Sequence, residues 1–218
     1  MKKILFAISG INKAGKRKGR GQSIVEFAIL LPLLLMMLSS LIEFGFIVNE
    51  YLDLIDTTRE TARFLSDDSP FAEGKARRDA YYAAGAAEMV NTLGRAGWIK
   101  LDSSRDDLVI SVFSVVGNTV SGRYPASFTD TRDECNGVTN GGEIGYRLYC
   151  RKESKFTSTD VNTLVGRVPE VPPNNGIVLV EIFYDYHMRL GLPWVAGIVG
   201  DTVTLHAYSF APCPAAEP

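Results

Sequence analysis

From Phe27 to Ile42 the chain reads FAILLPLLLMMLSSLI with no charged position, and continuing through Glu43 to Val48 gives 22 residues interrupted by one carboxylate. As a helix this stretch covers roughly 33 Å, enough for a hydrocarbon core of about 30 Å, so it predicts a membrane-crossing segment. Pro32 removes one helical hydrogen bond and permits a kink, which membrane helices tolerate. Beyond Val48 the pattern changes. In NEYLDLIDTTRETARFLSDDSP the positions Val48, Tyr51, Leu52, Ile55, Thr58, Ala62 and Leu65 recur at spacings of three and four, the stripe of an amphipathic helix. No Gly or Pro falls between Gly45 and Pro70, so the two parts are expected to form one rod to about Ser66.

A second helix is predicted over residues 71–96, where Ala76, Ala80, Ala83, Ala84, Ala87 and Val90 repeat at helical spacing and offer a small face to the first. From Asp107 the period shortens toward two. DLVISVFSVV (107–116) reads as a strand, and GIVLVEIFYDYHM (176–188) reads so more clearly. In the latter Val178, Val180, Ile182, Tyr184, Tyr186 and Met188 form one apolar face, with Glu181, Asp185 and His187 on the other. TVTLHAYSF (202–210) completes an antiparallel pair with Val203, Leu205 and Ala207 inward. Residues 117–175, rich in Gly, Asn, Thr and charge, read as loops with one or two short strands. The fold expected is α+β: a long N-terminal helix, a second helix and a small antiparallel sheet. It divides into a leader (1–21), a spine (22–66) and a head (67–218).

Charge sharpens this division. The formal net charge of -2 hides an asymmetry, since seven of the 23 Lys and Arg fall in residues 1–21, where no Asp or Glu occurs. The rest of the chain holds 16 basic against 25 acidic residues. A basic arm directly before an apolar run fits membrane topology better than nucleic-acid binding, and it places the arm in the cytoplasm and the acidic body outside. A cleaved secretory signal is the alternative. Against it stand the long basic region, an apolar run beyond the usual ~7 to 15 residues, and no small-x-small motif after the run. Residues 4–11, ILFAISGI, are too short to span.

Little in the remaining sequence points to catalysis. Cys135, Cys150 and Cys213 all lie in the outer part, where disulfides form. Cys135 with Cys150 would close a short Gly-rich loop and stabilise it by about 3 kcal/mol in the chain-entropy model, leaving one thiol over; spacing alone does not fix the pairing. With no C-x-x-C and no close Cys/His cluster, no metal is expected. His187 and His206, on predicted strands, read as strand-surface residues. Asp67-Asp68 and Asp106-Asp107 lack calcium-loop spacing and read as solvated turns and helix ends. No phosphate loop, cofactor motif or catalytic residue emerges. The apolar connection LGLPWVAGIVG (190–200) is open to two readings: burial against the core, or contact of Leu192, Trp194 and Ile198 with another subunit or lipid.

GRGQSIVEFAILLPLLLMMLSSLIEFGFIVNEYLDLIDTTRETARFL resembles the N-terminal signature of TadE-like minor pilins, the pseudopilins of tight-adherence (Flp-type) pilus systems. The likeness rests on Arg-Gly-Gln before the apolar helix, Val-Glu-Phe-Ala, Leu-Pro-Leu-Leu, and Arg59, Ala62 and Arg63, over residues 19–65. It implies cleavage of the leader by a membrane prepilin peptidase between Gly21 and Gln22, which makes Glu26 the fifth mature residue and Phe27 the sixth. Flp major pilins carry tyrosine after the glutamate and are far shorter, so the departure at Phe27 favours a minor subunit. The partners implied are the peptidase, other TadE/TadF-type pseudopilins, the Flp pilin, the inner-membrane assembly platform and the lipid bilayer, with no nucleic acid.

Physically, glycine presents little bulk at a bond to be cut, and Gly19 and Gly21 suggest a nonhelical stretch before a helix starting at Gln22. The new amine, with a reference pKa of about 7.7 to 8.0, would be largely protonated and could be neutralised by Glu26 of a neighbouring subunit. Alternatively Glu26, about 6 Å into the helix, reaches interfacial water. Glu43, about 26 Å farther, is expected to meet water at the opposite interface. The competing class is a single-span, membrane-anchored extracytoplasmic enzyme or ligand-binding domain, which would need a convergent polar site.

Overall fold

The computed structural model describes residues 20–70, 75–97, 99–117, 119–166 and 176–216. Helix α1 (Arg20–Ser66) is one rod of 47 residues with Pro32 inside it. Every residue from Ser23 to Leu38 is exposed, whereas from Glu43 onward the rod has a buried side. That side comprises Glu43, Glu50, Leu54, Thr57, Thr58, Thr61, Ala62 and Leu65. The expected stripe therefore holds at Thr58, Ala62 and Leu65 but not at Val48, Tyr51 and Leu52, which are exposed. Buried Thr57 and Thr58 donate their hydroxyls back to the carbonyls of Asp53 and Ile55, which lets polar residues line the inner face. Among the described residues the helix runs from Arg20, so the Gly21 backbone is helical, whereas the expectation of a nonhelical stretch at Gly19 falls outside them. The leader before Arg20 lies outside the described residues.

Helix α2 (Lys75–Ala96) packs on α1 through a face different from the alanine stripe. Ala80, Ala83, Ala84, Ala87 and Val90 are exposed, while Tyr81, Tyr82, Ala86, Met89 and Leu93 are buried. The larger side chains remove more apolar area from water, and their face wins. Gly85 lies on that face, where a Cβ would stand 2.8 Å from the Leu65 methyls.

The sheet follows the period-two reading at its three long strands. β1 (Asp107–Val116) pairs with β2 (Thr119–Tyr124) on one side and, farther along that side, with short β5 (Tyr146–Arg147). On the other side it meets β6 (Gly176–His187), which pairs with β7 (Thr202–Cys213), all antiparallel. β3 (Phe128–Thr129) and β4 (Thr139–Asn140) form a separate ribbon. The α+β architecture is thus a rod and a second helix on one face of an antiparallel sheet.

That face forms the main core: Leu54, Ala62 and Leu65 of α1 meet Tyr81, Met89 and Leu93 of α2 and Ile110, Val180, Ile182 and Tyr186 of the sheet. The other face carries a smaller core of Phe113, Val115 and Leu179 under α3 (Ser158–Val165), which contributes Val161 and Val165. This helix corrects the loop reading of 117–175. Thr157 accepts from the Asp160 amide while the Asp160 carboxylate accepts from Thr157, a capping box that starts a helix inside a polar stretch. Because α3 and its loop cover the second face, Glu181 is fully buried rather than solvated and accepts from Ser154 Oγ and the Lys155 amide. His206 is likewise part-covered, 3.1 Å from Glu181.

Candidate functional site

Two features of the rod stand out: its bare apolar half, and the junction where the head grips it. Glu43 is 1 % exposed, so the expected meeting with interfacial water does not occur. Its Oε1 accepts from Tyr186 Oη at 2.5 Å and from the Arg189 amide at 2.8 Å, and its Oε2 accepts from the Leu190 amide at 2.9 Å. The amides come from the turn after β6. Two successive N–H groups aimed at one carboxylate make a small anion seat, and Gly191, at φ +55, lets the chain leave it in the left-handed region. Two turns along the rod, buried Glu50 accepts from Arg189 Nε at 2.9 Å and forms an ion pair with Arg189 Nη2. Burial and the Glu43 carboxylate together push the Tyr186 hydroxyl well above its ordinary pKa, so it stays a donor.

This arrangement was missed in the sequence because a lone carboxylate after an apolar run looks like an interfacial charge. The available signal was a spacing: Glu43 and Glu50 are seven residues apart and share a helical face. With the head gripping the rod from Glu43, the helix before that grip, residues 20–42, is roughly 35 Å long, enough to cross a hydrocarbon core of about 30 Å. The rod is the one helix among the described residues long and apolar enough to cross a membrane, as a single-pass anchor does.

Glu26 and Phe27 lie on the exposed apolar half, and Gly21 and Gln22 in the first turn of the helix. Trp194 sits on α4 (Pro193–Val199) and is 38 % exposed. Trp194 and Val195 line a groove with Leu33, Met36, Met37, Ser40, Leu41 and Phe44 of α1. The predicted positions Gly21, Gln22, Glu26, Phe27 and Trp194 thus share the rod or its flank, Cys135 and Cys150 lie in the head, and they do not converge on one site.

The other buried charges hold loops in place. Cys135 and Cys150 form a disulfide, and Cys213 is buried elsewhere. Asp130 lies with those two sulfurs in a group close enough for a metal ion. The disulfide leaves no thiolate there, however, and the Asp130 carboxylate is already engaged by Arg132 and Asn140. Asp106 and Asp107, expected in solvent, are 2 % and 0 % exposed. Asp107 accepts from the amides of Leu108, Tyr149, Arg151 and Lys152, and Asp106 accepts from those of Asp102 and Asp185. Unmet loop amides near the sheet require such acceptors.

Residues 21–63 match a family model described as TadE-like protein. The matched segment is the rod, from the first turn to three residues before its end. The chain matches no curated protein and no solved structure. The likeness is that of the rod alone, consistent with a TadE-like protein, and the head lies outside it.

Proposed function

We propose that this chain, TadE-like along its N-terminal rod, is a minor pilin that takes part noncatalytically in assembly of a tight-adherence pilus. In this reading the basic leader stays in the cytoplasm, the prepilin peptidase cuts between Gly21 and Gln22, and the head lies outside the inner membrane. The Gln22 amine is then neutralised by Glu26 of a neighbouring subunit, an interaction that gains strength in a surrounding of low dielectric and helps set the axial register of packed helices. Its partners are other TadE/TadF-type pseudopilins, the Flp pilin and the inner-membrane assembly platform.

The observation that carries the reading is what the matched segment presents. The family match covers residues 21–63, and within it every residue from Ser23 to Leu38 is exposed and, Glu26 apart, uncharged. Cutting there requires the helical turn around Gly21 to open in the peptidase, and helix ends open at little cost. Buried carboxylates at Glu43, Asp107, Asp130 and Glu181 are engaged by structural donors, which argues for scaffold over catalysis.

The test is mass spectrometry of the mature N-terminus from cells carrying the peptidase. Gln22 as first residue is expected, and Met1, or a residue after the apolar run, sinks the processing model. In the same cells Glu26→Ala is expected to be cut yet to leave the pilus complex; normal incorporation removes the docking role.

A further inference from the structure

We infer that α4 and the adjoining wall of α1 form a second membrane contact, a groove that receives lipid acyl chains of the outer leaflet. This inference rests on the single-span anchor proposed above and adds a lipid-facing surface on the head itself.

Depth places the groove beside the bilayer. The head closes on the rod at Glu43, and the groove residues Leu41 to Leu33 lie about 3 to 15 Å before it along the axis. In a hydrocarbon core about 30 Å thick that interval is the outer half. Trp194 and Val195 line the same groove, so α4 reaches past the grip toward the bilayer rather than staying over the sheet.

The composition of α4 suits the same surroundings. The seven residues of α4, PWVAGIV, contain no charged side chain, and a helix apolar all round requires apolar surroundings. The head supplies only part of them: Trp194 is exposed, and Val195 and Ala196 are half-buried. A half-exposed Trp at the water edge of a span matches the interfacial preference of indole, whose ring is apolar and whose N–H seeks the headgroups.

The lining of the groove favours lipid over a second protein. Ser40 is the one hydroxyl residue lining the groove, and its Oγ donates to the Met36 carbonyl at 2.8 Å. The walls otherwise present methyl, methylene, thioether and ring surface, which suits acyl chains needing no directional partner. The groove is also continuous with the exposed apolar face of the rod, so lipid surrounding the span fills it without a boundary.

Full-length protein carrying Trp98→Phe, reconstituted in phosphatidylcholine vesicles at high lipid excess, leaves Trp194 as the single indole. Its emission is expected to be blue-shifted, strongly quenched by phosphatidylcholine brominated in the upper acyl chain, and little affected by acrylamide in the water. Quenching by acrylamide without quenching by brominated lipid overturns the inference. So does a signal that becomes shielded only as protein density rises, which would assign the groove to the helix of a second copy. Should Trp98→Phe impair folding, the difference between the native chain and Trp194→Phe isolates the same signal. Leu30→Trp in the Trp98→Phe, Trp194→Phe background tests the anchor separately. Its quenching by brominated lipid with none at Trp194 rejects the α4 contact alone, and the absence of both rejects the anchor.

Discussion

A carboxylate that is 1 % exposed must be matched by donors, and Glu43 meets three, the Tyr186 hydroxyl of β6 and two amides of the turn after it. Removing it leaves two amides and a buried phenol without an acceptor, each costing about 1–3 kcal/mol before water relieves part of the loss. Glu43→Ala is therefore expected to destabilise the protein by about 3 kcal/mol in denaturant unfolding in micelles, and Glu43→Gln by less, since the amide oxygen still accepts. Asp130 is a second case. Burial raises its pKa, but hydrogen bonds from Arg132 and Asn140 outweigh burial and hold it at about 2. A depressed pKa contributes stability above the unfolded value and loses it as pH falls toward the folded one, here from near 4 to about 2. Asp130→Asn should thus cost about 2 kcal/mol at neutral pH and almost nothing near the lower end of that window, as read from urea midpoints across acid pH. Neither role was legible in the sequence, because each carboxylate is defined by amides or side chains that folding brings to it.

At the scale of elements, legibility followed side-chain size and run length. β1, β6 and β7 each run ten or more residues with an apolar face toward the main core, so a one-residue slip in register would turn that face to the other side. α2 was legible as a helix but not in its orientation. Alanine is indifferent to burial, and the tyrosines, amphipathic by nature, took the inner face. α3 lay hidden in a Gly- and Thr-rich stretch, with its capping box as the only signal. The contact of α2 with α1 sets a sharp requirement at Gly85. Leu65 is 1 % exposed and must shift within a packed core to admit a side chain at Gly85, so Gly85→Val should cost about 1–3 kcal/mol through overpacking, despite the better helix propensity. Thermal unfolding of the variant checks this, and an unchanged midpoint would show that the two helices can separate without loss.

Across the whole molecule, the division between anchor and head falls inside a helix. Leu54, Ala62 and Leu65 belong to the same core as the sheet, so the second half of the rod is part of the head. The sequence showed the rod as continuous and its first half as lipid-compatible, but not where the head takes hold. Two clamps, at Glu43 and Glu50, fix that hold in rotation as well as in height. An α-helix advances about 100° per residue, so Glu26, 17 residues before Glu43, points about 100° away from the clamped face. The head therefore sets the azimuth of a carboxylate some 26 Å beneath it: a subunit oriented by its outer surface presents Glu26 in one compass direction within the bilayer.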